Sequence, residues 1–124
     1  MENLFIQGSG AMPTIDFRAD GNLIIEGKAI PEDANMLFDP IFEWIDRTTL
    51  EKLVFDINLY YFNTAVSKQL YEMFMKVNKK ETIRKVEVKW RYEEGDDDSL
   101  ESGQIYQDEI PGFDFEFLVY AEAK

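Results

Sequence analysis

Few residues in this 124-residue chain can do chemistry, because histidine and cysteine are both absent. Their absence removes the Ser-His-Asp triad, the Cys/His nucleophile pair, thiolate or imidazole zinc sites and any disulfide framework. Hydroxyls and carboxylates remain. Two hydroxyls stand at a special place, Thr64 and Ser67 in Tyr61-Phe62-Asn63-Thr64-Ala65-Val66-Ser67-Lys68, just after a long apolar run. In the ordinary reading Asn63 or Thr64 is a helix N-cap whose side-chain oxygen accepts an orphan backbone N–H, stabilising by about 1 kcal/mol. In the functional reading the same hydroxyl lies where a phosphate is received by free N–H groups and the positive end of a helix dipole. Tyr71 and Met75 follow Ser67 at four-residue steps. This minor apolar stripe suits packing under a loop, or a switchable docking surface.

The carboxylates are numerous: 25 acidic residues against 13 basic ones leave a formal net charge of −12. That balance repels a phosphate backbone or an anionic leaflet at long range, so neither nucleic acid nor membrane insertion is expected. Glu93-Glu94-Gly95-Asp96-Asp97-Asp98 is the densest charge, and residues 93–109 hold eight acids and no base. Carboxylate oxygens suit Mg²⁺ or Ca²⁺, yet counting an EF-hand loop from Asp96 puts Leu100 where a ligand belongs. The segment is therefore read as a solvated loop or a partner-facing acidic patch that includes Asp96 and Asp97, with no metal and no cofactor. The opposite patch, Lys76 to Arg91, gathers seven of the 13 bases. A helix C-terminus followed by an exposed strand face explains most of it, and docking of an acidic partner the rest. An enzyme would have to use carboxylates such as Asp56, Glu93 or Asp96. No recognisable pairing and no glycine-rich phosphate loop supports that class.

The elements that must position these residues follow from periodicity. Ile15 to Arg18 and Leu23 to Glu26 flank Asp20-Gly21, a hairpin signal, and Gly27 is expected to break the second strand. Met36, Leu37, Ile41, Trp44 and Ile45 recur at helical spacing and predict a helix over about 33–47, kinked at Pro40 or restarted there with Asp39 as cap. Residues 52–62 are almost continuously apolar, the pattern of a central strand covered on both faces. Val66, Leu70, Met73, Phe74 and Val77 form the inner stripe of a second helix. Val86, Val88, Trp90 and Tyr92 alternate with charges in a strand, Phe113, Phe115, Phe117 and Val119 alternate with Asp114, Glu116, Leu118 and Tyr120 in another, and the acidic segment between has room for one short helix. The fold class is α/β: a mixed sheet of five or six strands with helices mainly on one side, in one domain over 1–124. The opening Met1 to Gly8 carries apolar residues that suit a short strand, and it has neither the basic region nor the long apolar run of a signal peptide. With no run near the roughly 20 residues of a membrane helix, the expected location is cytoplasmic.

The chain resembles the SiaC family of bacterial regulatory phosphoproteins over nearly its whole length. The matching residues are Gly27 with Pro31-Glu32, Trp44, Leu59-Tyr60-Tyr61-Phe62-Asn63-Thr64 with Ser67-Lys68, and Trp90-Arg91-Tyr92-Glu93-Glu94 followed by Asp96-Asp97 and Gly103. The resemblance implies a STAS-like fold, similar to anti-sigma-factor antagonists, and a non-catalytic partner switch. It implies a dedicated protein kinase that phosphorylates a threonine, a PP2C-type phosphatase that removes the phosphate, and an effector bound by the dephosphorylated form. In the best-known system that effector is a diguanylate cyclase, which links the switch to cyclic-di-GMP and biofilm control. Carried onto this chain, the phosphoacceptor is Thr64, with Ser67 the alternative, and Asn63, Tyr71, Met75, Asp96 and Asp97 are candidate partner-binding residues. An adaptor never modified at Thr64 is the other reading. The chain departs from the family at Gly8-Ser9-Gly10-Ala11-Met12-Pro13, where a Gly-Thr and a Thr-Pro are common, and at Ala65-Val66, where small hydroxyl residues are common.

Overall fold

The computed structural model describes residues 2–121. The element order is β1 (Leu4–Ile6), β2 (Thr14–Phe17), β3 (Asn22–Ala29), α1 (Ala34–Arg47), β4 (Lys52–Phe62), α2 (Thr64–Lys79), β5 (Lys85–Glu93), α3 (Asp97–Glu109) and β6 (Asp114–Tyr120). The strands form one sheet in the order β1-β2-β3-β4-β5-β6. β1, β2 and β3 pair antiparallel and β3 to β6 pair parallel, so the expected mixed sheet has six strands.

Topology fixes the layering. β3-α1-β4, β4-α2-β5 and β5-α3-β6 are three crossovers that all step in one direction across the sheet, and crossovers of the favoured right hand then place every helix on the same face. The inward residues of β4, Leu53, Phe55, Ile57 and Leu59, are all buried beneath that layer. Asp56 and Asn58 alternate with them and are only half-buried. The expectation that β4 is covered on both faces is therefore overturned. Polar pairs furnish the open face, where Arg91 Nε and Nη2 reach Asp56 at 2.7 and 3.1 Å and the Tyr120 hydroxyl donates to Asn58 Oδ1 at 3.1 Å.

Three other expectations change. β3 runs on through Gly27 to Ala29, because the glycine adopts φ +123° and takes up a register shift against β4 instead of ending the strand. A Cβ there would be strained at that φ. α1 is continuous through Pro40 and is capped by Asp33, whose carboxylate accepts from Asn35 N at 2.9 Å; Asp39 caps nothing. Pro40 frees the Met36 carbonyl, and Met36 is 73% exposed, so the break falls where water can reach it, while Phe38 takes the core position expected of Met36. The acidic segment, third, holds the helix it had room for, but at 13 residues that helix is longer than the short one expected.

Phe74 of α2 anchors the core. Its ring makes edge-to-face contacts with Phe55, Tyr106, Phe113 and Phe115 at centroid separations of 5.4 to 6.0 Å. The last strand keeps its inward alternation only to Phe117, since Val119 lies beyond the helical layer and is 56% exposed. Four of the seven bases of the strip are ion-paired within the chain: Lys76 with Asp46 at 2.8 Å, Arg84 with Glu51 at 3.4 Å, Lys85 with Glu87 at 3.9 Å and Arg91 with Asp56 at 2.7 Å.

Candidate functional site

β4 ends in aromatic residues that run past its pairing with β5 and stay paired with β3 alone. Tyr61 is 62% exposed, and the chain then turns at Asn63 into α2. Asn63 is the N-cap: its Oδ1 accepts from Val66 N at 2.9 Å. The two sequence candidates for the cap are thereby separated, and the Thr64 hydroxyl is not committed to the helix end. Thr64 is exposed at the first position of α2. That end carries the positive pole of the helix dipole, with no acidic residue in its first turn to offset it.

Ser67, one turn on, is placed differently. It is half-buried, its hydroxyl lies 2.9 Å from the Tyr106 phenol oxygen, and the Tyr106 O–H donates to the Ser67 carbonyl at 2.8 Å. Burial pushes the Tyr106 pKa above the usual tyrosine value, while the Ser67 hydrogen bond pulls the other way. The phenol therefore stays neutral and keeps its proton to donate at neutral pH.

α3 forms the facing wall. Asp96 caps it, accepting from Ser99 N at 3.1 Å, and the buried Trp90 indole N–H donates to the Ser99 carbonyl at 2.9 Å. Gly103 permits the approach, since a Cβ there would meet Phe117 Cε1 and Trp90 Cδ1 at 2.8 Å. The starts of α2 and α3 thus line one open cleft of about 400 Å³, with Tyr61, Thr64 and Ser67 on one side and Asp96, Asp98 and Ser102 on the other. One further apolar residue lies close by: Ile30 follows Ala29, which pairs with the cleft residue Phe62. Ile30 is 38% exposed.

Of the residues singled out from sequence, Asn63, Thr64, Ser67 and Asp96 come together. Asp97 is exposed beside the cleft and is not part of its lining. Tyr71 and Met75 are half-buried against the core, and Met75 opens on a separate groove with Phe42 and Lys76. Sequence reasoning missed Tyr61, Asp98, Ser102 and the Tyr106 clasp. No group of three or more acidic side chains among the described residues is arranged to hold a metal ion, and no described helix is long and apolar enough to cross a membrane.

What the site presents is an exposed threonine hydroxyl on a helix start within a small α/β fold. The chain matches the SiaC family regulatory phosphoproteins over residues 6–120, and it belongs to that family. Among curated relatives it is 25% identical to an uncharacterised protein of Pseudomonas aeruginosa strain UCBPP-PA14, over 98% of both chains. Among solved structures it is similar to a chain in the crystal structure of the diguanylate cyclase SiaD in complex with its activator SiaC from Pseudomonas aeruginosa, at TM-score 0.82 and 22% identity, covering 94% of this chain and 99% of that one. It also resembles apo-SiaC of the same organism, at TM-score 0.76 and 22% identity, covering 95% and 99%. These likenesses establish the fold, STAS-like in its one-sided mixed sheet.

Proposed function

We propose that this chain is a phosphorylation-controlled partner switch whose modified residue is Thr64. A protein kinase phosphorylates it, a PP2C-type phosphatase restores the hydroxyl, and the dephosphorylated form binds an effector. Because the similar SiaC is the activator found in complex with SiaD, the effector is a diguanylate cyclase, and this chain regulates it without catalysis of its own. The observation that carries this reading is the cap on Asn63, which leaves the Thr64 hydroxyl exposed at the positive end of α2 beside Tyr61. Ser67 is the weaker acceptor, because its hydroxyl is engaged with Tyr106.

A phosphoryl group on Thr64 brings about −1.5 to −2 charge to this surface. Its own helix start tolerates it, so α2 and the core it packs against stay folded. An apolar partner would have to desolvate it, at a cost of several kcal/mol. Binding should weaken at least about 100-fold, equivalent to about 2.7 kcal/mol. Calorimetric titration of a purified diguanylate cyclase with unmodified protein, Thr64→Ala and protein phosphorylated at Thr64 tests this. Thr64→Ala should bind like the unmodified chain and the phosphoprotein should not; equal affinity of all three forms overturns the switch and favours an unmodified adaptor.

A further inference from the structure

The cleft that receives Thr64 joins two helix starts, yet its lining contains carboxylates and no base. Asp96 and Asp98 stand across from Thr64, and Asp97 lies in the same turn. The dipole of α3 offers about half a positive charge at its start. Three carboxylates outweigh it, and one of the α3 amides, Ser99 N, is already taken by Asp96. α3 is also lightly held. It buries only Ser99, Gly103 and Tyr106, whereas α1 and α2 each bury five side chains, all of them apolar. Its seat is the Trp90 indole bond to the Ser99 carbonyl and the Tyr106 clasp on Ser67.

We propose that α3 is the element that reads the state of Thr64: a phosphoryl group there repels the Asp96–Asp98 turn and lifts the start of α3 off Trp90. This rests on Thr64 being the modified residue. α2 cannot be the part that yields, because its inner stripe is fully packed in the core around Phe74. Phosphorylation then changes the wall of the cleft as well as its charge, and a partner that grips α3 loses its surface.

The two tryptophans supply the test. Trp90 Nε1–H reports on the α3 start, while Trp44 Nε1–H, which donates to the Glu2 carbonyl at 3.0 Å, reports on the far end of the sheet. The full chain is made with phosphothreonine inserted at position 64 during translation, so no cellular kinase is needed. In the phosphoprotein the Trp90 indole resonance should move toward the free-indole position and the α3 amides should exchange at least about tenfold faster, with Trp44 unchanged. Asp96→Asn with Asp98→Asn keeps a capping side chain but removes both charges, and should restore slow exchange to the phosphoprotein. Identical Trp90 resonances and α3 exchange in phosphorylated and unmodified protein overturn the proposal. A cyclase titration of the same samples separates the two ideas. Lost cyclase binding with unchanged α3 exchange sinks the α3 device and leaves the Thr64 switch standing, whereas loosened α3 with full cyclase binding supports the device and sinks the switch.

Discussion

Tyr106 and Ser67, on α3 and α2, are joined by two hydrogen bonds through one phenol oxygen, at 2.8 Å to the Ser67 carbonyl and 2.9 Å to its hydroxyl. The single phenol proton goes to the carbonyl, so the serine hydroxyl is the donor in the second bond. Tyr106→Phe keeps the ring against Phe74 and Trp90 and deletes both bonds. It should cost about 1–2 kcal/mol, and Ser67→Ala, which deletes one, about 1 kcal/mol. In urea titrations the double variant should lose less than the sum of the singles, because the two changes remove a shared bond; strict additivity would show that the bonds act independently.

The same phenol gives a pH signature. Burial raises the Tyr106 pKa in the folded protein, while in the unfolded chain the group titrates near the ordinary value of about 10. The stability this contributes is fully present below about pH 10 and is lost as pH rises through the folded value. Stability measured by denaturant midpoint should fall above about pH 10, and Tyr106→Phe should flatten much of that limb. A limb of equal steepness in the variant would assign it elsewhere, with Tyr60 and Tyr120, whose pKa values burial also raises, the other candidates.

Local period carried most of the fold. The helix expected at 33–47 is observed at Ala34–Arg47, and the strand expected at 52–62 has those bounds. The reading of β4 as covered on both faces failed because Tyr60, Tyr61 and Phe62 extend the apolar run beyond the buried strand; Asp56 and Asn58 within it were the legible sign of a one-sided sheet. At α3 the sequence shows only room for a short helix, because Leu100, Ile105 and Tyr106 are too few to make an apolar stripe. Its signals were of another kind: Asp96 as cap, Asp97 and Asp98 at the dipole's positive end, and Ser99, Gly103 and Tyr106 on one face. Asn63 and Thr64 were legible because capping is local. The Ser67–Tyr106 clasp spans 39 residues and leaves no mark in local spacing.

Phe74 sits where α2, α3 and two strands meet, with four aromatic neighbours. Phe74→Ala leaves a cavity among rings that pack edge to face and cannot close over it, and should cost about 3–5 kcal/mol. That is a large share of the roughly 5–15 kcal/mol that stabilises a domain. The half-exposed Arg91–Asp56 pair, by contrast, should yield no more than about 1 kcal/mol on Arg91→Ala, and less in high salt. Denaturant midpoints for the two variants should differ severalfold in their shift, and comparable shifts would mean that the open sheet face carries more of the stability than its exposure implies.

Gly103→Ala sets two effects of opposite sign against each other. Alanine is favoured over glycine in a helix interior by about 1 kcal/mol. The new Cβ, however, would stand 2.8 Å from Phe117 Cε1, 2.8 Å from Trp90 Cδ1 and 2.9 Å from Trp90 Nε1. Overpacking of this kind costs about 1–3 kcal/mol. Relief by tilting Trp90 is closed off, because that ring is buried against Phe62 and Tyr106 and its N–H holds the Ser99 carbonyl. The clash should win, so that the variant is less stable and the strain is relieved by withdrawal of α3. Thermal unfolding should begin at lower temperature and the near-ultraviolet signal of Trp90 should weaken, while the Trp44 indole resonance stays in place. A variant more stable than the parent would mean that α3 has slack enough to accept a methyl group, and that its distance from Trp90 is set by something other than Gly103.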